Sequence, residues 1–156
     1  MYEANQIISS ERDLSLLFER VLDQIFKLVP AHNGVILLKD ATSGELVTEY
    51  MKCGQGQSQV TISSSIVTRA FANGEAVLTS NAADDSRFGA HLSIISFNIA
   101  SAMCAPLTYQ NDRLGVVYVD TRGTTNAFDK NDLELLVALT GPAAIAIRNA
   151  QFVAEL

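Results

Sequence analysis

Apolar residues recur every third or fourth position from Leu14 to Val29. Leu14, Leu17, Phe18, Val21, Leu22, Ile25, Leu28 and Val29 fall on one side, and Glu19, Arg20, Asp23, Gln24 and Lys27 on the other. That period predicts an amphipathic helix, which Pro30 ends. Upstream, Ile7 and Ile8 either continue it or form a short helix before it. The pattern then shortens. Gly34-Val-Ile-Leu-Leu38 is too short for most helices and reads as a strand, Thr42 to Glu45 as a turn, and Leu46 to Cys53 as a second strand, so the two form a hairpin. Gly54 to Gln57 is a loop, and Val60 to Ile62 a short edge strand.

Ser63, Ser64 and Ser65 offer N-caps for a helix carrying Ile66, Val67, Ala70 and Phe71, and Asn73-Gly74 stops it. Ala76 to Thr79 is a brief strand. Asn81 to Ala90 is polar and turn-rich, and Leu92 to Ile99 is expected to form a short helix that shelters its isoleucines. Met103 to Tyr109 and Leu114 to Asp120 form a second hairpin across Gln110 to Arg113. Pro106 cannot donate to a ladder, so its position should be an edge or a bulge.

The last helix has a strong start. Asp129 is a good N-cap, Asp132 falls at the third helical position, and Phe128 is placed to pack on Leu133. From Leu135 to Ile147 only Thr140 has a polar side chain. A helix so apolar has to be covered on more than one side. Gly141-Pro142 in its middle predicts a kink. The order of elements gives an α+β fold: a central antiparallel sheet, the N- and C-terminal helices packed on one face, and a pocket covered by helix and loop on the other.

Composition narrows the class. The chain has 156 residues, 48% apolar, and a formal charge of −6. That is one domain with a real core. The acidic balance and the scattered Lys39, Lys52, Arg69, Arg87 and Arg113 argue against nucleic acid as a partner. No purely apolar run approaches the ~20 residues that span a bilayer, so no membrane is expected. MYEANQ has no secretory pattern, and two separated thiols, Cys53 and Cys104, suggest the cytoplasm rather than a disulfide framework.

Enzyme motifs are missing: there is no G-x-S-x-G elbow and no phosphate-binding loop. His32 and His91 are the only histidines, and neither has a partner at i+3 or i+4, so no metal or haem pattern is visible. The segment that overhangs the expected pocket supplies the candidate ligand-binding residues: Asp84, Arg87, Phe88 and His91, with Ser64 at the helix start. Arg87 beside Asp84 reads first as a surface ion pair. A free guanidinium there could instead grip a carboxylate or phosphate.

Four stretches together resemble the GAF domain, of the type found in bacterial signalling proteins. They are Ser101-Ala-Met-Cys-Ala-Pro-Leu107, Leu114-Gly-Val-Val-Tyr-Val-Asp120, Phe128 through Asp132 to Leu136, and Ala143-Ala-Ile-Ala-Ile to Asn149-Ala150. The Ser65 to Thr79 stretch and Asp84 to Phe88 match the middle of that family. The resemblance implies a single sensing domain over residues 1–156, expected to be cut from a longer signalling protein. In such a protein it controls a linked cyclase, kinase or transcription activator and pairs as a homodimer through its terminal helices. The other reading is a dimerisation scaffold whose pocket is filled by its own side chains.

The ligands of GAF subfamilies can each be tested. Cyclic-nucleotide binders carry an Asn-Lys-Phe-Asp-Glu set; here Phe128 and Asp132 match, Leu133 stands where Glu is expected, and no lysine completes the set. Cyclic-nucleotide binding stays open. Bilin binders carry a cysteine commonly followed by histidine, and Cys104 is followed by Ala105. Relatives that reduce free methionine sulfoxide use three cysteines, and this chain has two. The cofactor is therefore unknown, and a regulatory rather than catalytic role is expected.

Overall fold

The computed structural model describes residues 10–54, 62–88 and 98–155, which fold into three helices and five strands. In chain order these are α1 (Ser10–Leu28), β1 (Asn33–Lys39), β2 (Leu46–Lys52), α2 (Ser64–Asn73), β3 (Val77–Thr79), β4 (Ile99–Tyr109), β5 (Asp112–Arg122) and α3 (Lys130–Glu155). The strands form one antiparallel sheet in the order β2-β1-β5-β4-β3. Both expected hairpins are present. The β4–β5 turn is tighter than four residues: Tyr109 already faces Asp112, and Gln110 takes a positive φ of 56° to close it.

Alternation along the central strands separates two cores. Ile36, Leu38, Met103, Ala105, Leu107, Val117 and Val119 point to the first face, against Leu22 and Ile25 of α1 and Leu136, Ala144 and Ile147 of α3. Val35, Leu37, Ala102, Cys104, Val116 and Tyr118 point to the second face. There they meet Ile66, Val67 and Ala70 of α2 and Ala82 and Phe88 of the following segment. The terminal helices thus share one face, and the middle of the chain covers the other, as the pattern predicts.

Pro106 pairs with Val116 in β5, but the ladder with β3 ends at Cys104. Among the described residues β4 has no paired neighbour on that side at Pro106, which is the expected edge position. Ile99 opens β4 instead of ending a helix. The rest of that expected helix, residues 92–97, and residues 60–61 of the expected edge strand lie outside the described residues.

The helix ends follow local chemistry. Of the three serines, Ser63 is the cap: its Oγ accepts from the Ile66 N–H at 3.3 Å, and Gly74 closes the other end in the left-handed conformation (φ 66°). α3 starts with a reciprocal box. The Asp132 N–H donates to Asp129 Oδ1 and the Asp129 N–H to Asp132 Oδ2, both at 2.9 Å. Phe128 is buried in the first core and Leu133 packs against it. Replacing Asp129 by alanine removes an acceptor from an exposed first turn and should cost about 1 kcal/mol, read as a shift of the urea midpoint with unchanged slope.

α3 continues helically through Pro142. One side of it is buried, but Leu135, Val137, Ile145, Phe152 and Val153 are exposed, Ile145 by 51%. Within one copy α3 is covered along one side, whereas its apolar pattern called for cover on more than one. By length and composition α3 could cross a bilayer, which corrects the view that no segment approaches that limit. Here its buried side belongs to the first core.

Candidate functional site

α2 and residues 80–88 roof the second face, and a cleft of about 500 Å³ runs along their outer side. Ser64, Thr68, Arg69, Asn73, Arg87 and Phe88 line it. Three of the expected site residues, Ser64, Arg87 and Phe88, therefore come together. Asp84 does not line this cleft: it is exposed and accepts from Asn81 Nδ2 at 3.1 Å. His91 lies outside the described residues.

Arg87 pairs with Asp85, not with Asp84. Its Nε lies 3.0 Å from Asp85 Oδ1 and its Nη2 2.7 Å from Oδ2, a two-pronged bond. Nη2 also donates to the Leu78 carbonyl at 2.8 Å, and the guanidinium stacks 4.9 Å from the Phe88 ring centre. The Arg87 hydrogen bonds hold the Asp85 carboxyl well below the usual range, and the same bonds raise Arg87. The buried Thr79 hydroxyl also lowers Asp85, although no bond of good geometry joins them. The fork that could grip an anionic ligand is thus already used as a brace for the roof. Arg69 is the exposed cation of the cleft that makes no ion pair among the described residues.

Phe88 is 1% exposed and belongs to the second core more than to the cleft. With Tyr118 and Ile66 it fills much of the space between the sheet and α2.

A buried polar cluster lies at the end of β5. Asp120 is fully buried. Its Oδ1 accepts from Asn33 Nδ2 at 3.0 Å, and its Oδ2 accepts from Tyr118 Oη at 2.6 Å and Arg122 Nη2 at 2.9 Å. Asn33 Oδ1 in turn accepts from the Gly54 N–H at 3.0 Å, and the Arg122 N–H donates to His32 Nδ1 at 3.2 Å. Burial first, and then the Asp120 charge, push the Tyr118 hydroxyl far above its ordinary pKa, so it stays a donor. Sequence reading took Asp120 only as the end of a strand and did not single out Asn33 or Arg122. The signal was present: Tyr118, Asp120 and Arg122 are two apart, so the strand's period puts all three on one face. His32, which has no ligand-spaced partner in sequence, joins this cluster.

Cys104 is fully buried in the second core, and burial raises its thiol far above the ordinary value. Cys53 is half-buried, and both thiols are free. A buried neutral thiol is a poor nucleophile.

Comparison with known proteins adds the following. A family model described as "GAF domain" matches residues 11–148. Among solved structures, the GAF domain from Acinetobacter phosphoenolpyruvate-protein phosphotransferase is 20% identical, covering 99% of this chain and 94% of that one, with a TM-score of 0.67. The blue-light-absorbing form of the Thermosynechococcus elongatus PixJ GAF domain is 12% identical, with coverages of 94% and 92% and a TM-score of 0.75. The type II free methionine-R-sulfoxide reductase from Thermoplasma acidophilum is 15% identical, with coverages of 90% and 96% and a TM-score of 0.70. At these identities the likeness is one of fold. No curated protein matches the chain.

Proposed function

This chain belongs to the GAF domain family, and from that premise we propose that it is a cytoplasmic regulatory module that binds a small molecule, dimerises, and controls a linked output domain. GAF domains are in general sensory and regulatory modules of signalling proteins, and one similar structure comes from a phosphotransferase. One observation carries the reading. A single sheet separates the cleft-bearing roof, where Ser64, Arg69 and Phe88 sit, from the two terminal helices, which carry exposed apolar residues on the opposite face. A change at the roof is thereby set against elements that a second copy can share. Leu135, Ile145 and Phe152 of α3 are the surface offered to that copy, and a groove beside Leu17, Val21, Leu139 and Pro142 continues it onto α1. Any output class, whether cyclase, kinase or transcription activator, would receive the signal through these helices.

We assign the ligand site to the cleft along α2 and residues 80–88, where Ser64, Arg87 and Phe88 of the expected residues lie. Arg87 acts there as a brace, and Arg69 as the cation left to meet a ligand. The tight packing of Phe88, Tyr118 and Ile66 favours a second reading, a scaffold that dimerises without a ligand.

Light scattering across concentration and a thermal-shift panel of metabolites test these readings. The sensor is expected to dimerise and to be stabilised by at least one metabolite, and Ile145→Glu is expected to yield a monomer of unchanged circular dichroism. A strict monomer at high concentration would sink the dimer. A dimer that no metabolite stabilises leaves the scaffold.

A further inference from the structure

Two buried hydroxyls, Ser101 on β4 and Thr121 on β5, join two loops that are far apart in sequence, the one after β3 and the one between β5 and α3. β4 begins with a bulge: Ile99 pairs with Arg122 and Ser101 with Thr121, leaving Ala100 as the extra residue. Ser101 Oγ donates to the Ser80 carbonyl at 2.7 Å and accepts from the Ala127 N–H at 3.1 Å. A hydroxyl has one proton to give, so these two contacts use its donor and one lone pair. The Thr124 carbonyl, 3.3 Å from Ser101 Oγ, has a better donor in Thr121 Oγ1 at 2.6 Å. The Ser80 carbonyl also accepts from the Asn126 N–H at 2.7 Å.

The joined segments matter for what they lead to. Ser80 is the first residue after β3 and starts the stretch that roofs the second face. Ala82 ties that stretch to Ala100 (N–H to carbonyl, 2.7 Å), and Arg87 ties it to Leu78. Ala127 directly precedes Phe128, the buried staple of α3, and the capping box follows. Ser101 is fully buried, so no solvent is available to replace either bond. A shift of the roof at Ser80 takes the acceptor from the buried Ser101 hydroxyl unless Ser101, and with it the Ala127 N–H, follows; the Asn126 N–H on the Ser80 carbonyl and the Ser80 hydroxyl on the Phe128 carbonyl (3.4 Å) run beside this line.

We propose that Ser101 is a positioning residue that couples the roof of the second face to the first turn of α3, so that the roof's arrangement sets how firmly α3 is seated. The inference rests on the sensory reading above and names its route: a ligand that moves residues 80–88 changes the seating of α3 through the Ser80–Ser101–Ala127 line. It also explains why Ser80, Thr121 and Asn126 meet at one point. The strand ends there must be both closed and linked, and a Ser-Thr pair does so within a few ångströms.

Hydrogen exchange of the whole chain, read by mass spectrometry over residues 124–136, tests the route without a ligand. Arg87→Ala releases the roof from Asp85 and Leu78. In the wild-type background it is expected to speed exchange at the start of α3 about fivefold, the effect of roughly one hydrogen bond. In a Ser101→Ala background the same change should add less than twofold. Thr121→Val removes the bond to Thr124 and the acceptor of the Ser101 N–H (3.1 Å) but keeps the Ser101 hydroxyl bonds to Ser80 and Ala127, so there the Arg87→Ala effect should persist; Ser101→Thr, which keeps the hydroxyl, should restore it. If Ser101→Ala does not fold, Ser101→Cys, with a weaker donor of similar size, makes the same comparison. An Arg87→Ala effect that is equal with and without the hydroxyl, or absent from the wild type, overturns the proposal. The outcome is separable from the sensory reading: a silent metabolite panel with the coupling intact removes sensing alone.

Discussion

Gly115→Ala is expected to leave little folded protein at 25 °C. Gly115 lies near the start of the buried run of β5, opposite Leu38 on β1 and Leu107 on β4. A Cβ at this position would lie 1.9 Å from the Leu37 carbonyl oxygen and 2.8 Å from Leu38 Cα. Both are backbone atoms of the neighbouring strand, so no rotamer change relieves the clash. β1 and β5 would have to separate, which breaks ladder bonds. It would also open both cores, because Leu37 and Leu38 point to opposite faces. The cost should exceed about 4 kcal/mol, a large part of the stability of a domain this size. Soluble yield and far-ultraviolet circular dichroism measure it directly. Gly141→Ala is the control: nothing lies within 4 Å of its added Cβ in α3, and helix propensity should make it neutral or stabilising by up to ~1 kcal/mol. If Gly115→Ala folds with a urea midpoint near that of the wild type, the close approach of β1 and β5 is not as described.

The second large effect is expected at Asp120. Removing its carboxylate by Asp120→Ala strips acceptors from Asn33, Tyr118 and Arg122 at once, in a place where the carboxylate itself is fully buried. Breaking one side of a buried charged cluster costs about 3–5 kcal/mol, because the partner is left desolvated. For a chain of this length that is a fall in Tm on the order of 10 °C. The Arg122 side chain keeps 16% of its surface in water, which should hold the cost toward the lower end. The double variant Asp120→Ala/Arg122→Met removes the guanidinium as well and should recover part of the loss, giving a coupling energy of about 1 kcal/mol or more. Additive single effects in that cycle, or a loss under 1 kcal/mol for Asp120→Ala, would mean that the cluster is not what joins β1, β5 and the Gly54 turn.

Much of the architecture is legible in the sequence alone. The 3.6 period of Leu14 to Val29, the two hairpins and the Phe128–Asp129–Asp132 start of α3 are local patterns. Backbone geometry converts each into a defined element with little help from distant residues. The middle of the chain was less legible, since short apolar runs between turns suit strand or helix alike; Ile99 proved to belong to β4. The candidate site was read only in part. Ser64, Arg87 and Phe88 do meet along one cleft, but the partner of Arg87 is Asp85. The choice between two adjacent aspartates depends on how the turn at residues 81–88 folds back on Leu78, which no spacing reveals.

Hydrophobic periodicity set most of the elements, their order, and the split of apolar residues between two faces, because periods of 2 and 3.6 are properties of the backbone. It also carried the motifs that resemble the GAF family, now matched over residues 11–148. Which polar groups share a buried site emerges with the assembled sheet. Asn33 and Asp120 are 87 residues apart, and Ser101 stands 21 from Ser80 and 26 from Ala127. Contacts at such separations are set by strand order and register, and hydrogen-bond geometry, sensitive to tenths of an ångström, appears only once the sheet has brought those backbones together.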